Sequence, residues 1–62
     1  MKLVECISTR ETYPDQIKVG ELYKLDIETI EGDHEGDWYG VIYTMNTNKV
    51  GRVKLSHFKS IL

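Results

Sequence analysis

The feature that most limits the folds open to this chain is a pair of segments rich in β-branched and aromatic residues, with a short polar segment between them. The two segments are residues 37–44 and 50–58, and Met-Asn-Thr-Asn-Lys separates them at 45–49. Residues 37–58 hold the only tryptophan, the only phenylalanine and two of the four tyrosines. This pattern is typical of a β-hairpin.

A second strand is indicated by alternation of apolar and polar residues, which a half-buried strand explains and a helix does not. The apolar positions are Tyr23, Leu25 and Ile27, and the polar ones are Lys24, Asp26 and Glu28. Further strands are predicted at 1–7, 38–44, 49–54 and 59–62, with one helical turn near 55–58. Residues 8–16 and 28–37 are predicted to be loops.

Five short strands in a chain of 62 residues predict a single all-β domain, 1–62, built as a small barrel or sandwich. Closing the sheet would remove exposed strand edges. A chain of this size buries only about 60% of its unfolded surface. Recognition is therefore expected on surface loops or a groove rather than in an internal cavity.

Composition argues against several classes of function. The net charge is −2, from eight Lys and Arg against ten Asp and Glu, which disfavours general binding to nucleic acid. Cys6 is the only cysteine, so no internal disulfide forms. There is no apolar run of about 20 residues and no secretion-signal pattern, so a cytoplasmic protein without a membrane role is expected.

No catalytic pattern is visible in the sequence. His34 and His57 lack partners at metal-ligand spacing, and the serines have no nucleophile-elbow context. Cys6 has no basic neighbour that would make its thiol reactive, and its place in the first strand predicts a packed thiol. The sequence therefore predicts a non-enzymatic protein without a cofactor.

Four short segments, in order, resemble the Src-homology-3 family. Residues 17–21 (Ile-Lys-Val-Gly-Glu) resemble its approach to the second strand, and 37–39 (Asp-Trp-Tyr) resemble the start of its third strand. Residues 51–53 (Gly-Arg-Val) resemble its fourth strand, and 56–58 (Ser-His-Phe) followed by Ile61 resemble its final turn and strand. The resemblance implies a five-stranded Src-homology-3-like barrel that binds protein or peptide partners.

The departures from that family concern its peptide groove. Its Ala-Leu-Tyr-Asp-Tyr motif is missing, and Tyr13 with Pro14 lies in the corresponding region. Leu55 stands where the family has a proline, and Phe58 lacks the hydroxyl of the family's last groove tyrosine. Polyproline recognition is therefore not expected. Two segments, Gly-Asp-Trp-Tyr at 36–39 and Leu-Ser-His-Phe-Lys-Ser-Ile at 55–61, also resemble short proteins of Gram-positive bacteria and their phages.

Trp38 is the main candidate for recognition, either as an exposed anchor at an interface or as a cap on one end of the core. An acidic loop beside it favours a basic partner. The predicted partner-binding residues are Trp38, Tyr39, Tyr13, Asp37, Glu35 and Phe58. The protein is expected to be a monomer or a homodimer formed through an edge strand.

Two charged groups have alternative interpretations. The acids Glu31, Asp33, Glu35 and Asp37 suggest a calcium loop, but their spacing departs from that motif, so a solvated loop without metal is predicted. A basic group suggests a nucleic-acid surface, or a solvated strand face that balances the acidic loop. Its residues are Arg52, Lys54 and Lys59.

Overall fold

The computed structural model describes residues 1–9 and 17–61, which form one five-stranded antiparallel sheet. The elements are β1 (Lys2–Cys6), β2 (Leu22–Gly32), β3 (Trp38–Tyr43), β4 (Lys49–Lys54), a 3-10 turn (Leu55–His57) and β5 (Phe58–Ser60). The predictions of an all-β fold, five strands and a helical turn near 55–58 are confirmed.

The strand order in the sheet is β4-β3-β2-β1-β5, so β4 and β5 are the edge strands. No pairing joins these two edges within the described residues, and the predicted closure into a barrel is not confirmed. Among the same residues, no helix is long and apolar enough to cross a membrane.

The prediction of a loop at 28–37 is wrong for residues 28–32, because β2 continues to Gly32. Asp26 pairs with Val41, but Glu31 pairs with Tyr39, so residues 27–30 of β2 lie opposite Gly40 alone. A bulge of this kind bends the strand and shifts the alternation along it.

Thr29 holds this bulge through its hydroxyl group. The hydroxyl donates to the carbonyl oxygen of Asp26 at 2.6 Å and accepts the N–H of Val41 at 2.8 Å. These two bonds replace ladder bonds that the extra residues interrupt. Only residues 33–37 remain as the loop of the β2–β3 hairpin.

The core lies on one face of the bent sheet. Its buried side chains are Val4, Cys6, Ile17, Tyr23, Leu25, Ile42, Val53 and Phe58. The Tyr23 ring meets the Phe58 ring edge to face at 6.0 Å between centroids, a favourable aromatic geometry. The Tyr23 hydroxyl accepts the backbone N–H of Lys18 at 2.9 Å, which satisfies its polar end.

Candidate functional site

Trp38 lies on the surface at the first position of β3, with 58% of the residue exposed. It pairs with Gly32 on β2, and its ring covers that glycine so closely that a Cβ there would lie 3.3 Å from a ring carbon. Trp38, Gly40 and Ile42 alternate along β3 and so share one face, and Ile42 is fully buried in the core. Trp38 therefore extends the core-side face beyond the end of the core.

An apolar groove of about 270 Å³ lies on this same side of the sheet. Its floor consists of buried core residues and its walls of partly exposed aliphatic residues, while polar residues complete its lining. The floor is Val4, Leu25 and Phe58, the walls are Ile27, Ile30 and Leu55, and the polar lining is Lys2, Lys59 and Ser60. We call this set the apolar groove.

Gly40 connects Trp38 to the apolar groove. A Cβ on Gly40 would lie 2.8 Å from Leu25 Cδ1, 3.4 Å from Leu55 Cδ2 and 3.5 Å from Ile30 Cγ1. The missing side chain thus lets these groove residues approach the strand. Since Trp38 is two positions from Gly40 on the same face, it lies about 7 Å along β3 from the groove wall.

Tyr39 is on the opposite face from Trp38, because successive strand residues point to opposite sides. The structure therefore does not bring these two predicted site residues together. Burial raises the pKa of Tyr39, and the nearby negative charge of Asp33 raises it further. Tyr39 belongs to the outer face of the sheet.

Asp33 organises the hairpin loop through hydrogen bonds to the backbone. One of its carboxylate oxygens accepts the backbone N–H groups of Glu35 and Asp37, each at 2.9 Å. The bond from Asp37 is the main reason that the pKa of Asp33 is lowered. In the part of the chain that the structure describes, no three His, Cys, Asp or Glu side chains gather as metal ligands would.

The basic residues predicted as an alternative site all form ion pairs. Arg52 pairs with Glu31 at 3.1 Å, Lys54 with Asp37 at 3.4 Å and Lys59 with Glu5 at 3.7 Å. Two of these acids belong to the predicted acidic loop. The geometry thus favours the interpretation in which the basic strand face balances that loop.

The other predicted site residues have different positions. Phe58 is 9% exposed and forms part of the groove floor, so it offers only a small surface. Glu35 is exposed at the hairpin loop. Tyr13 lies outside the described residues. The predictions missed the groove walls Ile27 and Ile30, since the alternation of β2 alone does not reveal the bulge between them.

No protein-family model matches the sequence, and neither the curated proteins nor the solved structures include a match. The geometry of Trp38 and the apolar groove is therefore the basis for assigning a function.

Proposed function

We propose that this chain is a small non-enzymatic interaction module that binds an extended segment of a partner protein, with an aliphatic side chain in the apolar groove and basic side chains near Trp38 and the acidic β2–β3 hairpin. The observation that carries the proposal is that Trp38 is 58% exposed and lies two strand positions from Gly40, against which groove residues pack. Tryptophan is among the residues that contribute most to binding when a partner covers them.

We further propose that the module has a Src-homology-3-like arrangement. Three features support it: the strand order β4-β3-β2-β1-β5, a long β2 bent by its bulge, and a 3-10 turn directly before β5. Residues 22–25 of β2 pair with β1, and residues 24–26 and 31–32 pair with β3, so the part of β2 after the bulge pairs with β3 alone. In this proposed arrangement Trp38, at the first position of β3, is the exposed aromatic residue on the face of β3 that also carries buried Ile42.

Charge distribution supports a basic partner. Residues 25–48 contain six acids and no Lys or Arg, whereas the whole chain has a net charge of only −2. Of those acids, Glu31 and Asp37 form ion pairs with Arg52 and Lys54. The others are Asp26, Glu28, Asp33 and Glu35. Six acids against Arg52 and Lys54 give the β2–β3 hairpin an excess of negative charge, which would steer a basic segment toward it.

The test is selection of binding peptides from a displayed random library, followed by affinity measurements on synthetic copies. Binders are expected to combine Lys or Arg with an aliphatic residue. Trp38→Ala should weaken their binding by roughly 30-fold, the size of a hot-spot effect. Met45→Ala is the matched control, since Met45 is a 47% exposed apolar residue on the β3–β4 turn.

Equal affinity of the wild type and Trp38→Ala for the selected peptides would contradict the site assignment. Weaker binding by Met45→Ala alone would place recognition at the β3–β4 turn instead. Folding of each variant is checked by its amide spectrum, so that loss of binding is not confused with unfolding.

A further inference from the structure

A row of side chains crosses the outer face of the sheet, opposite the apolar groove. Leu3 pairs with Lys24, Lys24 with Tyr43, and Tyr43 with Lys49. Directly paired residues of antiparallel strands project on the same side. Ile42, beside Tyr43, is fully buried, so this row faces away from the core. We call it the lysine–tyrosine row.

The two lysines of this row differ from Arg52, Lys54 and Lys59, the cations near the acidic loop and on β5. Arg52, Lys54 and Lys59 each pair with an acid of the chain, whereas Lys24 and Lys49 form no ion pair with the described residues. The row itself contains no acid. Tyr43 is therefore flanked on both sides by lysines that no acid of residues 1–9 or 17–61 pairs with.

Asp26 is the acid closest to Lys24 along β2, two positions away on the outer face. Its Oδ1 atom accepts the backbone N–H of Glu28 at 3.1 Å, within the bulge. No ion pair joins Asp26 to Lys24 within the described residues. The positive charge of Lys24 is thus available to an external anion.

A hollow of about 350 Å³ adjoins the row, lined by Met1, Leu3, Lys24 and Thr47. Met1 is 65% exposed, so apolar surface lies directly beside the positive charge of Lys24. An aliphatic side chain fits such a hollow, while carboxylates on either side of it would meet the two lysines.

We propose that the lysine–tyrosine row is a second docking surface, which binds an acidic segment of a partner protein with an aliphatic residue between carboxylates. A protein is favoured over nucleic acid because the row supplies only two cations, while the hollow lined by Met1 and Leu3 accepts an aliphatic side chain. With a second segment bound at Trp38 and its basic side chains toward the β2–β3 hairpin, the chain would bridge two partners of opposite charge.

The test uses an end-blocked peptide of alternating glutamate and leucine, titrated into the isotopically labelled full chain and followed by amide chemical shifts. The largest shifts are expected at Lys24, Tyr43 and Lys49. The double variant Lys24→Glu/Lys49→Glu should bind about 10-fold more weakly, since two exposed pairs become repulsive. Lys18→Glu is the control, because Lys18 is exposed outside the strands.

Three results would overturn the proposal. The first is unchanged affinity in the double variant, and the second is a set of shifts confined to the apolar groove. The third is binding of an oligothymidine of about ten nucleotides to the row in place of the peptide. If the double variant does not fold, Lys49→Glu alone must weaken binding, because Lys49 is exposed and its replacement leaves the core intact.

Discussion

Replacing Trp38 by alanine should have little effect on stability despite removing the largest side chain in the protein. Trp38 is 58% exposed, so about 42% of its surface is covered. Full burial of a large apolar side chain contributes up to about 3 kcal/mol. The covered fraction therefore corresponds to about 1 kcal/mol of unfolding free energy. A chain of 62 residues has about 3–9 kcal/mol in total, so the variant should remain folded.

The matched comparison is Ile42→Ala, which removes a smaller side chain from a fully buried position. That change should cost about 2–5 kcal/mol, because it leaves a cavity in the core. Urea unfolding followed by far-ultraviolet circular dichroism measures both variants without relying on tryptophan emission. A loss for Trp38→Ala as large as that for Ile42→Ala would refute the surface assignment of Trp38.

Three further predictions concern packing and charge. Gly40→Ala should lower the free energy of unfolding by about 1–3 kcal/mol, because the new Cβ would lie 2.8 Å from Leu25 Cδ1. An unchanged midpoint of urea unfolding would contradict this close packing. Because amide donors lower the pKa of Asp33, its charge stabilises the fold above its ordinary pKa. That stabilisation is lost as pH falls through the lower folded value. The difference in unfolding free energy between the wild type and Asp33→Asn should therefore shrink in acid. A difference that does not change with pH would contradict this role of Asp33. Arg52 and Glu31 form an exposed ion pair. A double-mutant cycle should therefore give a coupling free energy of unfolding below about 1 kcal/mol. A larger value would contradict the weak contribution expected of an exposed pair.

Local patterns in the sequence predicted most of the strands. β4 occupies the predicted residues 49–54, and β3 begins at Trp38 as predicted. Both segments combine β-branched and aromatic residues with a polar turn, so neighbouring residues alone determine their conformation. The helical turn at 55–57 followed from the same kind of local pattern.

The extension of β2 was missed because its bulge changes the alternation. Ile27 is in phase with Leu25, but Ile30 follows three positions later. The acids and the glycine that follow suggest a loop, although Glu31 and Gly32 pair with β3. Only the partner strand reveals this register, since the extra residues are accommodated opposite Gly40.

The composition of the candidate site was predicted in part. An exposed Trp38 was one of two alternatives, and the structure decides between them. Strand alternation already implies that Tyr39 faces away from Trp38. The ion pairs of Arg52 and Lys54 depend on the pairing of β4 with β3 and of β3 with β2. Such long-range contacts have no local signature in the sequence.

The fluorescence of Trp38 tests the central claim most directly, because it is the only tryptophan in the chain. Emission typical of a solvent-exposed indole is expected in the free protein. A shift to shorter wavelength is expected when a selected basic peptide saturates the site. Emission typical of a buried indole in the free protein, or an unchanged spectrum at saturation, would contradict recognition through Trp38.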